Sequence, residues 1–133
     1  MSFESRYVWM NGKLVPYEQA TVHFMTAGLH YGIAVFEGIR CYATENGPAI
    51  FRLKEHMQRL MDSAKVLGFQ ALPFSQAELT AAVVETVAAN GFPECYIRPV
   101  IYLAEGGWNL TVDSGVPHVG VSVWKWEGFL GTE

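Results

Sequence analysis

The chain has 133 residues, half of them hydrophobic and 14% aromatic, which fits one folded domain and excludes a disordered tail. Its formal charge of −4 offers no basic footprint for nucleic acid or an anionic membrane, and no apolar run approaches the roughly 20 residues of a membrane helix. The stretch Met1 to Asn11 lacks the apolar run of a signal peptide, so the expectation is a cytoplasmic protein with Cys41 and Cys95 reduced in its core.

In chain order, Arg6 to Met10 and Lys13 to Pro16 read as two strands. Asn11-Gly12 joins them, a pair that accepts positive φ at both turn positions. A strand is predicted around Ala34 to Ala43, after a stretch rich in aromatics with glycines at 28, 32 and 38. Asn46-Gly47-Pro48 then turns the chain into a short strand, Ala49 to Phe51. Arg52 to Leu67 is a predicted helix, because Leu53, Met57, Leu60, Met61, Ala64 and Leu67 recur at three- and four-residue steps, with Gly68 as its cap. A second helix starts at Ser75. Ser75-Gln76-Ala77-Glu78 reads as a capping box, in which serine and glutamate satisfy each other's backbone amides, and Gly91 ends the helix. Strands follow at Cys95 to Leu103 and His118 to Trp126, either side of the loop Glu105-Gly106-Gly107-Trp108-Asn109. The pattern predicts an α+β domain with a mostly antiparallel sheet and two helices. The last strand runs into Gly128 to Glu133 with no closing element, so the chain is expected to be the first part of a longer protein.

Few residues stand out as chemistry. Arg59 lies on the polar side of the first helix. It is either a solvated arginine paired with Glu55 at i, i+4 or an arginine that grips an anion through two parallel hydrogen bonds. Tyr96 and Arg98 are two apart on a strand and share a face. An arginine on an apolar strand is costly to bury alone, so Arg98 sits either at an edge or in a polar cavity. A tyrosine hydroxyl beside it would make a carboxylate clamp. The glycines at 28, 32 and 38 let the backbone turn tightly or approach a ligand. The histidines at 23, 30, 56 and 118 show no metal-site spacing with either cysteine, and no phosphate-loop or dinucleotide fingerprint is present.

Three segments in order and spacing resemble the branched-chain amino-acid aminotransferases of fold type IV. They are Leu29-His30-Tyr31-Gly32 with Val35 to Arg40, Phe51-Arg52-Leu53 through His56 and Arg59-Leu60, and Tyr96-Ile97-Arg98-Pro99. Trp9-Met10-Asn11-Gly12 fits the family's first hairpin, and the similarity runs from about Val8 to the end. The resemblance implies the family's small domain, a pyridoxal 5'-phosphate cofactor, and transfer of the amino group of leucine, isoleucine or valine to 2-oxoglutarate. It implies that Arg59 binds the cofactor phosphate and that Tyr96 and Arg98 line the substrate pocket near the α-carboxylate. Phe36 and Trp126 match the apolar walls around the branched side chain. Tyr31, and Trp108 in the glycine-rich loop, match residues that reach a neighbouring subunit's pocket, so a homodimer or higher homo-oligomer is implied. The family's catalytic lysine has no counterpart in context among Lys13, Lys54, Lys65 and Lys125, so the chain alone is expected to be inactive, with that lysine downstream of Glu133.

Two rival readings remain at this stage. One is a D-amino-acid aminotransferase or aminodeoxychorismate-lyase-like enzyme of the same fold. The D-branch usually carries an arginine and a histidine two apart, whereas Tyr96-Ile97-Arg98 is followed by Pro99-Val100. The other is a stand-alone, non-catalytic module that binds small anions or a partner protein.

Overall fold

The computed structural model describes residues 4–105 and 115–126. The first two strands, β1 (Tyr7–Met10) and β2 (Lys13–Pro16), pair antiparallel with Met10 opposite Lys13. Asn11 and Gly12 both take positive φ, 47° and 115°, as the Asn-Gly turn requires. A turn of 3-10 helix (Tyr17–Gln19) leads towards a short helix, α1 (Ala27–Tyr31), closed by Gly32 in the left-handed conformation. This helix was not foreseen. Five residues are too few for a hydrophobic period to register, and the glycine that closes it, Gly32, equally fits a loop.

The strand expected at Ala34 to Ala43 is two strands, β3 (Ala34–Phe36) and β4 (Ile39–Thr44), broken at Glu37-Gly38. Both run antiparallel to β6 (Cys95–Leu103), with Phe36 opposite Val100 and Ile39 opposite Ile97. Pro99 lies across from the break. It has no amide hydrogen to continue the ladder, although its carbonyl still accepts from Glu37 N at 3.1 Å. The hairpin partner β5 (Gly47–Ile50) follows β4, and β7 (Pro117–Lys125) pairs along the whole of β6. The result is one antiparallel seven-stranded sheet in the order β2-β1-β7-β6-β4-β5, with β3 beside β6.

Helices α2 (Leu53–Leu67) and α3 (Gln76–Asn90) match their sequence signals within a residue. Arg52 precedes α2 in the left-handed region at φ 55°. At α3 the capping box is half formed. Ser75 Oγ accepts from Glu78 N at 3.1 Å, but the Glu78 carboxylate takes the Ser75 hydroxyl rather than its backbone amide. Both helices cover one face of the sheet. Met57, Leu60, Ala64, Leu79, Val83 and Val87 pack on Trp9, Ile39, Ile97, Ile101, Val121 and Val123. Each such side chain, taken fully out of water, contributes roughly 1.5–3 kcal/mol.

Cys41 and Cys95 are register partners on β4 and β6, both buried and both free thiols, as expected. Burial and the neighbouring Cys41 push the Cys95 thiol up to about 12, so it stays protonated and unreactive near neutral pH. No helix among the described residues is long and apolar enough to cross a membrane.

The sheet's alternation gives it a second face that α2 and α3 do not cover. That face carries Tyr96, Arg98, Val100 and Tyr102 of β6, and Gly120, Ser122 and Trp124 of β7. It forms an open trough of about 580 Å³ over Arg98, Val100 and Ser122, with Tyr17, Thr21 and Val22 along one side.

Candidate active-site wall

The break between β3 and β4 is the organising feature. Phe36, Glu37 and Gly38 each meet a different residue of interest. The guanidinium of Arg98 lies 4.2 Å from the centre of the Phe36 ring. The carboxylate of Glu37, 4% exposed, turns towards α2. Its Oε1 accepts from Arg59 Nε at 2.6 Å, and its Oε2 accepts from Arg59 Nη2 at 2.7 Å and from His56 Nδ1 at 3.0 Å. Gly38 lies against the hydroxyl of Tyr96.

The electrostatics follow from that bonding. Burial would push the Glu37 carboxyl up. The hydrogen bonds from Arg59 and His56, with their charges, outweigh burial and hold it below the usual carboxylate range. The same pair raises Arg59 above its ordinary value. Arg59 therefore does not pair with Glu55. Glu55 lies 3.4 Å from Arg52 one turn back, and the long-range carboxylate of Glu37 takes Arg59 instead. The arginine uses the edge carrying Nε and Nη2, and its side chain remains 67% exposed. Among the described residues no partner meets Nη1. The side chain lines a groove of about 260 Å³ together with Arg52, Glu55 and His56. A fixed guanidinium beside a second arginine, Arg52, suits the oxygens of a phosphate, with Glu55 as the one carboxylate in the groove's lining.

On the open face, Arg98 Nη2 donates to Tyr96 Oη at 2.9 Å, while its buried Nε has no partner among the described residues. Arg98 is not at a sheet edge, since β6 is paired on both sides, and it is half-buried on the wall of the open trough. It lies among Phe36, Tyr96 and Trp124, an aromatic surround that favours a guanidinium through the rings' negative faces. Trp126, just past the end of β7, stacks on Tyr96 at 5.6 Å and 16°. Arg40, which sequence reasoning gave no role, lies 4.3 Å from the centre of the Trp126 ring.

The structure thus brings Phe36, Tyr96, Arg98 and Trp126 together on one face and sets Arg59 across the Glu37 turn from them. Tyr31 stands apart at the end of α1, 41% exposed, its ring tilted against His30. Trp108 lies outside the described residues. The residue that sequence reading missed is Glu37. Its signal was an acidic residue within an otherwise apolar strand, Ala34-Val35-Phe36-Glu37-Gly38-Ile39, which needs a cationic partner if buried.

Gly38 gives a direct check. An alanine Cβ there would overlap Tyr96 Oη and lie 3.1 Å from Cζ. Gly38→Ala should swing the tyrosine hydroxyl away from Arg98 and disturb its stacking on Trp124 and Trp126. We expect a changed near-UV circular dichroism spectrum at a stability loss of only about 1–2 kcal/mol, because the far end of a side chain can yield. An unchanged spectrum would mean that Gly38 does not set the position of Tyr96.

Comparison with known proteins places this geometry in a class. Residues 34–126 match the family model for class IV amino-transferases, and the chain belongs to that family. It is 43% identical over 130 residues to the branched-chain-amino-acid aminotransferase of Escherichia coli K12, covering 96% of this chain and 41% of that protein. The crystal structure of the Escherichia coli branched-chain amino acid aminotransferase superposes with a TM-score of 0.91 at 40% identity, covering 98% of this chain and 43% of that one. The branched-chain amino acid aminotransferase of Thermobaculum terrenum, in its PLP-form, gives a TM-score of 0.80 at 29% identity, covering 92% and 40%. The chain therefore spans about two fifths of the length of these relatives.

Proposed function

We propose that this chain is the small domain of a pyridoxal-phosphate-dependent branched-chain amino-acid aminotransferase and forms one wall of its active site. The observation that carries the reading is the Phe36-Glu37-Gly38 turn. It places a fixed, exposed arginine on one side and an arginine–tyrosine clamp with apolar walls on the other.

The residues present fit the cofactor: the free end of Arg59 and its groove suit a phosphate dianion. When bound, the cofactor supplies an electron sink for bond cleavage at the substrate's α-carbon. Arg59 holds the phosphate and thereby fixes the ring's distance from the trough. Arg98, tied to Tyr96 and set beside Phe36 where it lines the trough, takes a carboxylate oxygen of the amino or oxo acid. Phe36 and Trp126 exclude water from the branched side chain of leucine, isoleucine or valine.

The lysine that moves the α-proton is assigned to the larger domain that the relatives carry beyond the matched part. None of the four lysines here serves. Lys13 is on β2, Lys54 and Lys65 are on α2, and Lys125 pairs with Glu4 at 3.4 Å. The exposed apolar surface at Phe24, Met25, Leu29 and Tyr31 supports a homodimer in which Tyr31, with Trp108, reaches the partner's pocket. We place the whole protein in the cytoplasm, where such amino and oxo acids are made and consumed.

Assay of the full-length gene product tests the reading. It should bind pyridoxal phosphate and transaminate leucine, isoleucine and valine with 2-oxoglutarate, while the 133-residue chain alone should not turn over. Preference for D-amino acids would move the protein to the D-branch of the fold. Absence of cofactor binding by the full-length product would leave a non-catalytic module.

A further inference from the structure

Arg59 presents a puzzle that the phosphate reading alone does not resolve. A long side chain that is 67% exposed is nonetheless fixed by two short bonds to a carboxylate that is itself buried. If the ion pair served only folding, its charge would be expensive for the little it holds, since an apolar residue fills a buried position at lower cost. The geometry shows another use. Glu37 takes the side edge of the guanidinium, Nε with Nη2, and leaves Nη1 without a partner among the described residues, on a side chain that lines the groove. His56 Nδ1 donates to the same Oε2 that Nη2 uses, so the carboxylate is held from a second direction and cannot rotate with the arginine. His56 side-chain exposure is 20%, and its ring also borders the groove.

We propose that Glu37 and His56 are positioning residues that aim Arg59, so that its grip on the cofactor phosphate is set before the cofactor arrives. The proposal rests on the reading of Arg59 as the phosphate-binding arginine. Two effects of Glu37 oppose each other. Its negative charge lowers the attraction of the site for a dianion, and its fork removes the rotational freedom that Arg59 would otherwise lose on binding. The charge effect acts at an exposed guanidinium and is screened at physiological salt. The ordering effect is not, and Arg is among the side chains with most rotamer freedom to lose. Pre-orientation therefore wins, and removing Glu37 weakens the phosphate contact.

The test compares pyridoxal phosphate with pyridoxal on the cofactor-free, full-length protein at about 0.15 M salt. The half-saturating concentration of pyridoxal divided by that of pyridoxal phosphate isolates the phosphate contact. Arg59→Met should collapse the ratio. Glu37→Gln should lower it about tenfold through pyridoxal phosphate alone, with pyridoxal unchanged. Glu37→Asp keeps the charge but is one methylene short, and should behave like Glu37→Gln. His56→Asn should act in the same direction by about threefold, and serves if the Glu37 variants fail to fold. In ligand-free protein the Arg59 Nε–H signal should be slow to exchange in the wild type and fast in Glu37→Gln. If Glu37→Gln tightens pyridoxal phosphate, or if Arg59→Met collapses the ratio while the Glu37 and His56 variants leave it intact, the positioning role is overturned and the phosphate reading stands. If Arg59→Met itself leaves the ratio unchanged, the phosphate reading fails first.

Discussion

Asn90→Ala should destabilise the folded chain by roughly 3 kcal/mol, lowering its melting temperature by about 10 °C. Asn90 is fully buried at the end of α3. Its Oδ1 accepts from the backbone amides of Arg6 at 2.8 Å and Tyr7 at 3.1 Å, and its Nδ2 donates to the carbonyls of Tyr7 at 3.0 Å and Thr86 at 2.8 Å. One side chain thus ties the start of β1 to the helix 83 or 84 positions away. Alanine removes the partner of the Arg6 and Tyr7 amides and the Tyr7 carbonyl at a half-buried junction, which is the costly half of losing a hydrogen bond. Asn90→Asp keeps both accepted bonds and loses the donated ones, so its loss should be intermediate. Thermal and urea unfolding of the three proteins checks the order. A loss below about 1 kcal/mol for alanine would show that the N-terminal strand is held by sheet pairing alone.

Acid should expose the second large dependence. The Glu37 carboxyl is held below its ordinary value of 4.5. A group depressed on folding contributes stability that is fully present above its unfolded value and lost as pH falls through its folded one. Unfolding free energy from urea titrations should therefore be flat in this contribution above about pH 5 and fall below about pH 4.5. In Glu37→Gln the wild-type protein's slope in that window should be reduced, although the variant starts lower. The same slope in both proteins would show that Glu37 is not the carboxylate responsible.

What the sequence disclosed and what it hid divide along sequence separation. The Asn11-Gly12 turn, Ser75 as a cap, the apolar face of α2 and the alternation of β6 are local patterns, and each element forms where its pattern lies. Arg98 and Tyr96 were legible as a pair because two residues along a strand share a face. Glu37 was not, because its partners lie 19 and 22 residues away on a helix whose docking no local pattern fixes. Arg59 was read with the wrong carboxylate for the same reason. Glu55 is near in sequence, and the buried Glu37 offers two oxygens in a fork that Glu55 does not. The single strand expected at Ala34 to Ala43 broke because Pro99, on the opposite strand, withholds a hydrogen bond. That fact belongs to a neighbour rather than to the segment itself. The family membership was legible because three separated motifs keep their spacing, and the match over residues 34–126 rests on the same stretch.

Phe36, Glu37 and Gly38 are consecutive, so their outer Cα atoms are at most about 7 Å apart. Each is fastened elsewhere: to Arg98, to Arg59 with His56, and against Tyr96. That short piece of backbone has no slack. Changing Phe36 would tug the carboxylate next to it and so shift Arg59 across the turn. If the wall and the arginine serve as proposed, side-chain selectivity and cofactor retention are one adjustment and have to be measured together.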